Sequence, residues 1–198
     1  MRYIEMVHVL PLTFATMLLG TAFAQGNPVS IPILNPRFDV DALPCSPGNL
    51  CYPPSPGITG WQFGPETNVQ KMSTMQYPNA PAAGIYVATL GYSYATGSIL
   101  QTLGNSLQAD TAYVLKVRVG ARADYAFTGY NAALMAGNVT LASGNNAVPT
   151  PGTFVTEVIT FKTGASPAQL GKPLQILITS VGNGQVNVSD VSLTATSN

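Results

Sequence analysis

Apolar and polar residues alternate along most of the chain after Pro28. Within Thr111 to Arg122, the residues Tyr113, Leu115, Val117 and Val119 interleave with Val114, Lys116, Arg118 and Gly120. That is the two-residue period of a strand with one buried face. Leu174, Ile176 and Ile178 alternate in the same way with Gln175, Leu177 and Thr179. Ile31 to Phe38, Ala83 to Leu90, Ser98 to Leu103, Asn131 to Met135 and Phe154 to Thr163 read as further strands, with Gly or Pro between nearly all of them. No stretch carries a convincing helical period. Short, evenly spaced strands separated by turn formers predict an all-β antiparallel sandwich or barrel.

The last strand breaks this rhythm. Val186 and Val188 point one way, but Val191 and Leu193 resume three residues later, out of phase. One extra residue at Ser189 or Asp190 restores the register, so a β-bulge is predicted there, and it re-aims the Asp190 side chain.

Composition adds the compartment. Charged residues are 8% of the 198, against about 25% in a typical globular protein. Formal net charge is zero and Lys and Arg form no cluster, which excludes nucleic acid as a main partner. At the start, Arg2, the apolar run Val9 to Leu19 and Ala22-Phe23-Ala24 before Gln25 form a signal-peptide pattern. A membrane anchor is the alternative, but the run is shorter than the ~20 residues a span needs. The expected organisation is a leader over residues 1–24 and one β-sandwich domain over 25–198, secreted after cleavage between Ala24 and Gln25, with no membrane span in the mature protein. The only histidine, His8, lies in the leader. Ser-His-Asp and Cys-His nucleophiles and His-containing zinc sites are thereby excluded from the mature chain.

Cys45 and Cys51 stand in a Pro/Gly-rich loop. In an exported chain they are expected to form a local disulfide. A redox-active pair is the alternative, although the spacing is not C-x-x-C and no basic residue is near to lower a thiol pKa.

Two ends of the chain carry a family resemblance: Asn35-Pro36-Arg37-Phe38-Asp39 followed by Gly60-Trp61, and Val186-Asn187-Val188-Ser189-Asp190-Val191-Ser192-Leu193. Between them lie Gln101-Thr102-Leu103, Thr111-Ala112-Tyr113-Val114-Leu115 and Val119-Gly120-Ala121-Arg122. Together they resemble the galactose-binding-like jelly roll shared by secreted carbohydrate-binding modules and by uncharacterised secreted bacterial proteins. The resemblance implies a jelly-roll sandwich with Trp61 in the core. It also implies a structural calcium ion where the first and last strands meet, held by Asp39 and Asp190 with carbonyls and water completing the shell. The plainer reading of the two residues is a turn cap at Asp39 and a backbone hydrogen bond at Asp190.

By the same resemblance, the expected function is a non-catalytic, lectin-like module for extracellular or cell-surface glycan, with polysaccharide as partner. The alternative is a structural or adhesive extracellular protein without a sugar site, acting through self-association. An enzyme is disfavoured because no pair among the few carboxylates stands out. For ligand binding, flat aromatics and planar polar groups in Gly-flanked loops are the candidates: Tyr92, Tyr94, Arg118, Asp124 and Tyr125. Arg122 and Asp124 are also expected to pair across a turn.

Overall fold

The computed structural model describes residues 26–41, 45–51, 58–79, 85–92 and 95–197. The leader, Tyr94 and Ala83 lie outside the described residues. Twelve strands follow in chain order: β1 Val29–Ile31, β2 Leu50–Cys51, β3 Gln62–Phe63, β4 Thr67–Lys71, β5 Tyr86–Leu90, β6 Ser98–Ser106, β7 Thr111–Ala121, β8 Tyr130–Ala136, β9 Val139–Gly144, β10 Thr153–Lys162, β11 Pro173–Ser180 and β12 Val186–Ser197. They build a seven-stranded sheet, β10-β7-β12-β5-β4-β2 with β1 also on β12, and a five-stranded sheet, β3-β6-β11-β8-β9. All the pairings are antiparallel. This is the expected all-β sandwich with a jelly-roll-like fold. Among the described residues no helix is long and apolar enough to cross a membrane.

The alternating residues fill the space between the sheets. Tyr113, Leu115, Val117 and Val119 of β7 meet Leu174, Ile176 and Ile178 of β11, Leu134 of β8 and Ile99 of β6 in one buried cluster. Trp61 joins it, packs against Phe38 at a 5.4 Å centroid distance and donates its indole N–H to the Asn35 carbonyl at 3.0 Å. Among the described residues one carboxylate, that of Glu157, is buried as well. Glu157 of the edge strand β10 accepts from the Tyr130 hydroxyl at 2.5 Å and from the Asn146 and Ala147 amides at 2.9 and 2.8 Å. Burial, together with this carboxylate, pushes the Tyr130 phenol above its ordinary pKa.

The predicted bulge is present. Against β7, Ser189 pairs with Arg118 and Ser192 with Lys116, so β12 carries one extra residue, and Asp190 adopts a left-handed φ of 48°. The bulge divides one edge of β12 between two partners: β5 along Val186–Val188 and β1 along Leu193–Ala195.

The predicted strand over Ile31 to Phe38 is cut short at Ile31. Asn35 and Phe38 take positive φ values of 47° and 59°, and the Asn35 side chain accepts from the Val40 amide. The Gln101 side chain meanwhile occupies both the amide and the carbonyl of Leu34. Side-chain amides thus take the backbone groups that a strand partner would have used. Cys45 and Cys51 are bonded as expected, with Cα atoms 5.6 Å apart.

Candidate functional site

One cross-strand row organises the outer face of the seven-stranded sheet. Asn68 of β4 pairs with Thr89 of β5, Thr89 with Asn187 of β12, Asn187 with Gly120 of β7, and Gly120 with Phe154 of β10. Core-facing Val69, Ala88, Val188 and Val119 are their neighbours, so the period of two turns this row away from the core. The Phe154 ring leans over Gly120, where a Cβ would lie 2.4 Å from it. Tyr77 stacks on Phe154 at 4.6 Å and, with Met72 and Val87, forms a small apolar cluster separate from the main core.

At the β4 side the row opens into a cleft of about 480 Å³ lined by Glu66, Thr67, Asn68, Thr89, Gly91, Tyr92 and Gln185. That is the size of a small-molecule site. Tyr92 stacks on Tyr125 at 5.6 Å, the planes 14° apart. Arg122 lies over the Tyr125 ring at 5.6 Å, grips both Asp124 oxygens at 2.8 and 2.7 Å and donates to Gln185 at 2.9 Å. The Arg122 hydrogen bonds hold the Asp124 carboxyl below the usual carboxylate range.

Inward along the row the environment changes. Asn187 is fully buried, and both its amide oxygen and its amide nitrogen lack a hydrogen-bond partner, as do the Ser189 hydroxyl and the Tyr77 hydroxyl. The Asn187 amide is near enough to the Tyr77 phenol to favour its ionised form slightly, but completes no hydrogen bond with it. Burial outweighs this and the nearby Arg122, and raises the Tyr77 pKa well above its ordinary value.

The expected ligand residues fall into two places. Tyr92, Tyr125 and Asp124 come together at the cleft mouth. Arg118 stands apart, beyond the Phe154 ring it covers at 4.9 Å, and pairs with Asp190 at 3.0 Å. Tyr77, Asn187, Thr89, Asn68, Gln185 and Glu66 were not among the expected site residues. The signal of Asn68, Thr89 and Asn187 was a set of polar residues at outward positions of neighbouring strands, which without register reads as a solvated face, and Glu66, Tyr77 and Gln185 lie outside the strands and carried none.

Asp39 and Asp190 do line one shared depression, with Arg37, Ile85 and Tyr86. Each carboxylate is paired with an arginine, Asp39 with Arg37 and Asp190 with Arg118, both at 3.0 Å. Among the described residues no three His, Cys, Asp or Glu side chains converge on a metal position. Two carboxylates at one depression supply only part of the six to eight oxygens that calcium takes, so carbonyls and water would have to complete the shell.

Comparison with known proteins bears on what such a face does. A family model described as HpiC1-like, HpiC1 cyclase, matches residues 29–194. Among solved structures, the chain is similar to the Stig cyclase Fisc from Fischerella sp. TAU in complex with (3Z)-3-(1-methyl-2-pyrrolidinylidene)-3H-indole. Identity is 25%, over 85% of this chain and 98% of that one, with a TM-score of 0.72. A cyclase from Fischerella sp. TAU in complex with 4-(1H-indol-3-yl)butan-2-one matches at 25% identity, 84% and 97% coverage and a TM-score of 0.70. An apo cyclase from Fischerella sp. shares the fold at 24% identity, 85% and 96% coverage and a TM-score of 0.72. No curated protein sequence matches the chain. These findings overturn the expectation of a non-catalytic carbohydrate-binding module. The matching family is one of enzymes, and the ligands in the matched structures are indole compounds, not polysaccharide. The jelly roll was read correctly, but the function attached to it belonged to other users of that fold.

Proposed function

We propose that this chain, which belongs to the HpiC1-like cyclase family, is an exported cyclase that takes a planar, indole-class small molecule in the outer-face cleft and closes a ring on it. The observation that carries the reading is the row itself. A cleft of suitable volume, lined by Asn68 and Thr89 and with an aromatic platform at its mouth, lies beside Asn187, the cross-strand neighbour of Thr89, whose buried amide has no protein partner. Unsatisfied buried polar atoms are rare in native proteins, and a site that awaits a ligand is one reason to keep them.

In such a reaction the aromatic ring supplies the electron pair for the new bond. The new bond forms at the electrophilic carbon as its π bond breaks toward the partner atom, which takes up a proton, and the attacking ring carbon later loses one, so the product keeps the substrate's mass. Tyr92, backed by Tyr125, would stack on the ring. Arg122 and Asp124 would hold the platform rather than touch the reacting atoms. Glu66 at the mouth would accept the proton released on rearomatisation. The β-sheet floor and the Tyr77–Phe154 pair would keep water from the cationic intermediate.

Export rests on the leader pattern of residues 1–24 and agrees with the Cys45–Cys51 bond. A structural calcium ion belongs to the same reading, with Asp39 and Asp190 as its negative donors.

The test is a product assay. The protein is incubated with an indole that carries a tethered electrophile, and the mixture is separated by chromatography with mass detection. A product of equal mass that forms faster than in buffer, and fails to form with Thr89→Trp filling the cleft, supports the reading. Conversion no faster than in buffer, or untouched by Thr89→Trp, overturns it.

A further inference from the structure

The unpartnered buried side-chain atoms among the described residues are the Tyr77 hydroxyl, both amide atoms of Asn187 and the Ser189 hydroxyl. Asn187 and Ser189 are 0% and 1% exposed and Tyr77 is 3% exposed. They are not scattered, as packing defects would be. Asn187 and Ser189 stand two residues apart on the outer face of β12, and the Tyr77 phenol lies beside Asn187. Their polar neighbours on this face are satisfied: Gln185 by Arg122, Gln70 by the Gly48 carbonyl, Arg118 by Asp190 and Arg122 by Asp124.

We propose that Asn187, with the Tyr77 hydroxyl above it, selects the polar group of the ligand, and that the ligand is uncharged and carries both a hydrogen-bond donor and an acceptor. The proposal rests on the cyclase reading for the position of the ligand and adds the chemistry accepted by the buried groups behind Thr89, the lining residue that pairs with Asn187. A side-chain amide presents one acceptor and two donors, and a phenol presents one of each. Neither carries charge over the ordinary working range, since burial keeps the phenol protonated.

The nearest arginines are already neutralised. An ammonium or carboxylate brought here would leave water without a counter-charge, at a penalty that hydrogen bonds to neutral dipoles do not offset. A neutral N–H and carbonyl exchange water for Asn187 and Tyr77 with little loss. Entry proceeds along the row from Thr89. Tyr77 yields most readily, because its apolar contacts belong to the small satellite cluster and not to the sandwich core.

Titration of 4-(1H-indol-3-yl)butan-2-one and of tryptamine, a cation with the same ring, separates the possibilities. For the wild type between pH 6 and 9, we expect the ketone to bind about tenfold or more tighter than tryptamine, without pH dependence. Asn187→Leu replaces an unsatisfied amide by an apolar side chain of similar size. It should cost about tenfold in ketone affinity while raising the melting temperature by ~2 °C or more, a combination that a merely structural asparagine does not give. Tyr77→Phe should weaken the ketone in the same direction, and Asn187→Asp should reverse the preference toward tryptamine. Wild-type affinity for the ketone in Asn187→Leu overturns the inference, as does a melting temperature that falls in that variant, or tryptamine that binds the wild type as tightly as the ketone. Ketone binding that survives Asn187→Leu but is lost in Thr89→Trp leaves the cyclase cleft standing without its selective residue. Absence of saturable ketone binding in every protein removes both.

Discussion

The Phe154 ring lies directly over Gly120, and no residue with a side chain fits beneath it without moving the ring. This contact sets the height of Tyr77, which stacks on Phe154, and therefore the cover over Asn187. Gly120→Ala should displace both rings. The expected outcome is a loss of about 1–3 kcal/mol in unfolding free energy from overpacking, with a disproportionate loss of ligand affinity. Urea unfolding and ligand titration on the same variant check it. Unchanged affinity would mean that the ring pair does not shape the site.

On the proposed reading Tyr92 serves binding more than stability. It is 49% exposed and stacks on Tyr125 at the cleft mouth. Tyr92→Ala should weaken indole binding by about 0.5–1.5 kcal/mol, up to roughly tenfold, while shifting the melting temperature little. Calorimetric titration beside thermal unfolding measures both.

Asp124 gives a pH signature. Its folded-state pKa is depressed, chiefly by the Arg122 hydrogen bonds, so the stability it contributes is present above the ordinary carboxylate pKa of about 4 and is lost as pH falls through the depressed value. Asp124→Asn removes this contribution. The melting-temperature advantage of the wild type over Asp124→Asn should therefore hold at pH 6 and shrink on acidification toward pH 2. The carboxyl is partly exposed, so the advantage should be small and reduced by salt. A gap that widens on acidification would contradict the assignment.

The depression shared by Asp39 and Asp190 predicts a calcium response of the fold rather than of the cleft. Added calcium should raise the melting temperature of the wild type, and the rise should vanish in Asp190→Ala. Absence of any rise in the wild type would leave the two carboxylates as partners of Arg37 and Arg118 alone.

Much of the sandwich was legible because burial on one face forces a period of two, as in Tyr113 to Val119 and Leu174 to Ile178. Even the bulge at Asp190 was visible, since an extra residue shifts the phase of the valines on either side of it. The turns at Asn35 and Phe38 were not legible. They depend on the Gln101 and Asn35 side chains capturing backbone groups, and Gln101 is distant in sequence. The mouth of the candidate site was partly open to the sequence reading, because Tyr92, Asp124 and Tyr125 sit in Gly-flanked loops where exposed aromatics stand out. Its interior was not. Asn68, Thr89, Asn187 and Gly120 become one row only through strand register, and Tyr77 is brought over them by a segment whose own pattern is irregular. The function was misassigned for a related reason. The terminal motifs report how the jelly roll closes, and Asn187, although it lies within one of them, joins the proposed site only through its register with Thr89 and Gly120.

The location of the ligand is the claim on which the rest depends, and two-dimensional amide NMR tests it most directly. With 4-(1H-indol-3-yl)butan-2-one added to the isotope-labelled protein, saturable shifts should concentrate at Glu66, Asn68, Thr89, Gln185 and Asn187. The outer face of the other sheet, at Thr102, Gln175 and Met135, should remain unchanged. Shifts confined to that opposite face, or none at millimolar ligand, would contradict the assignment of the cleft.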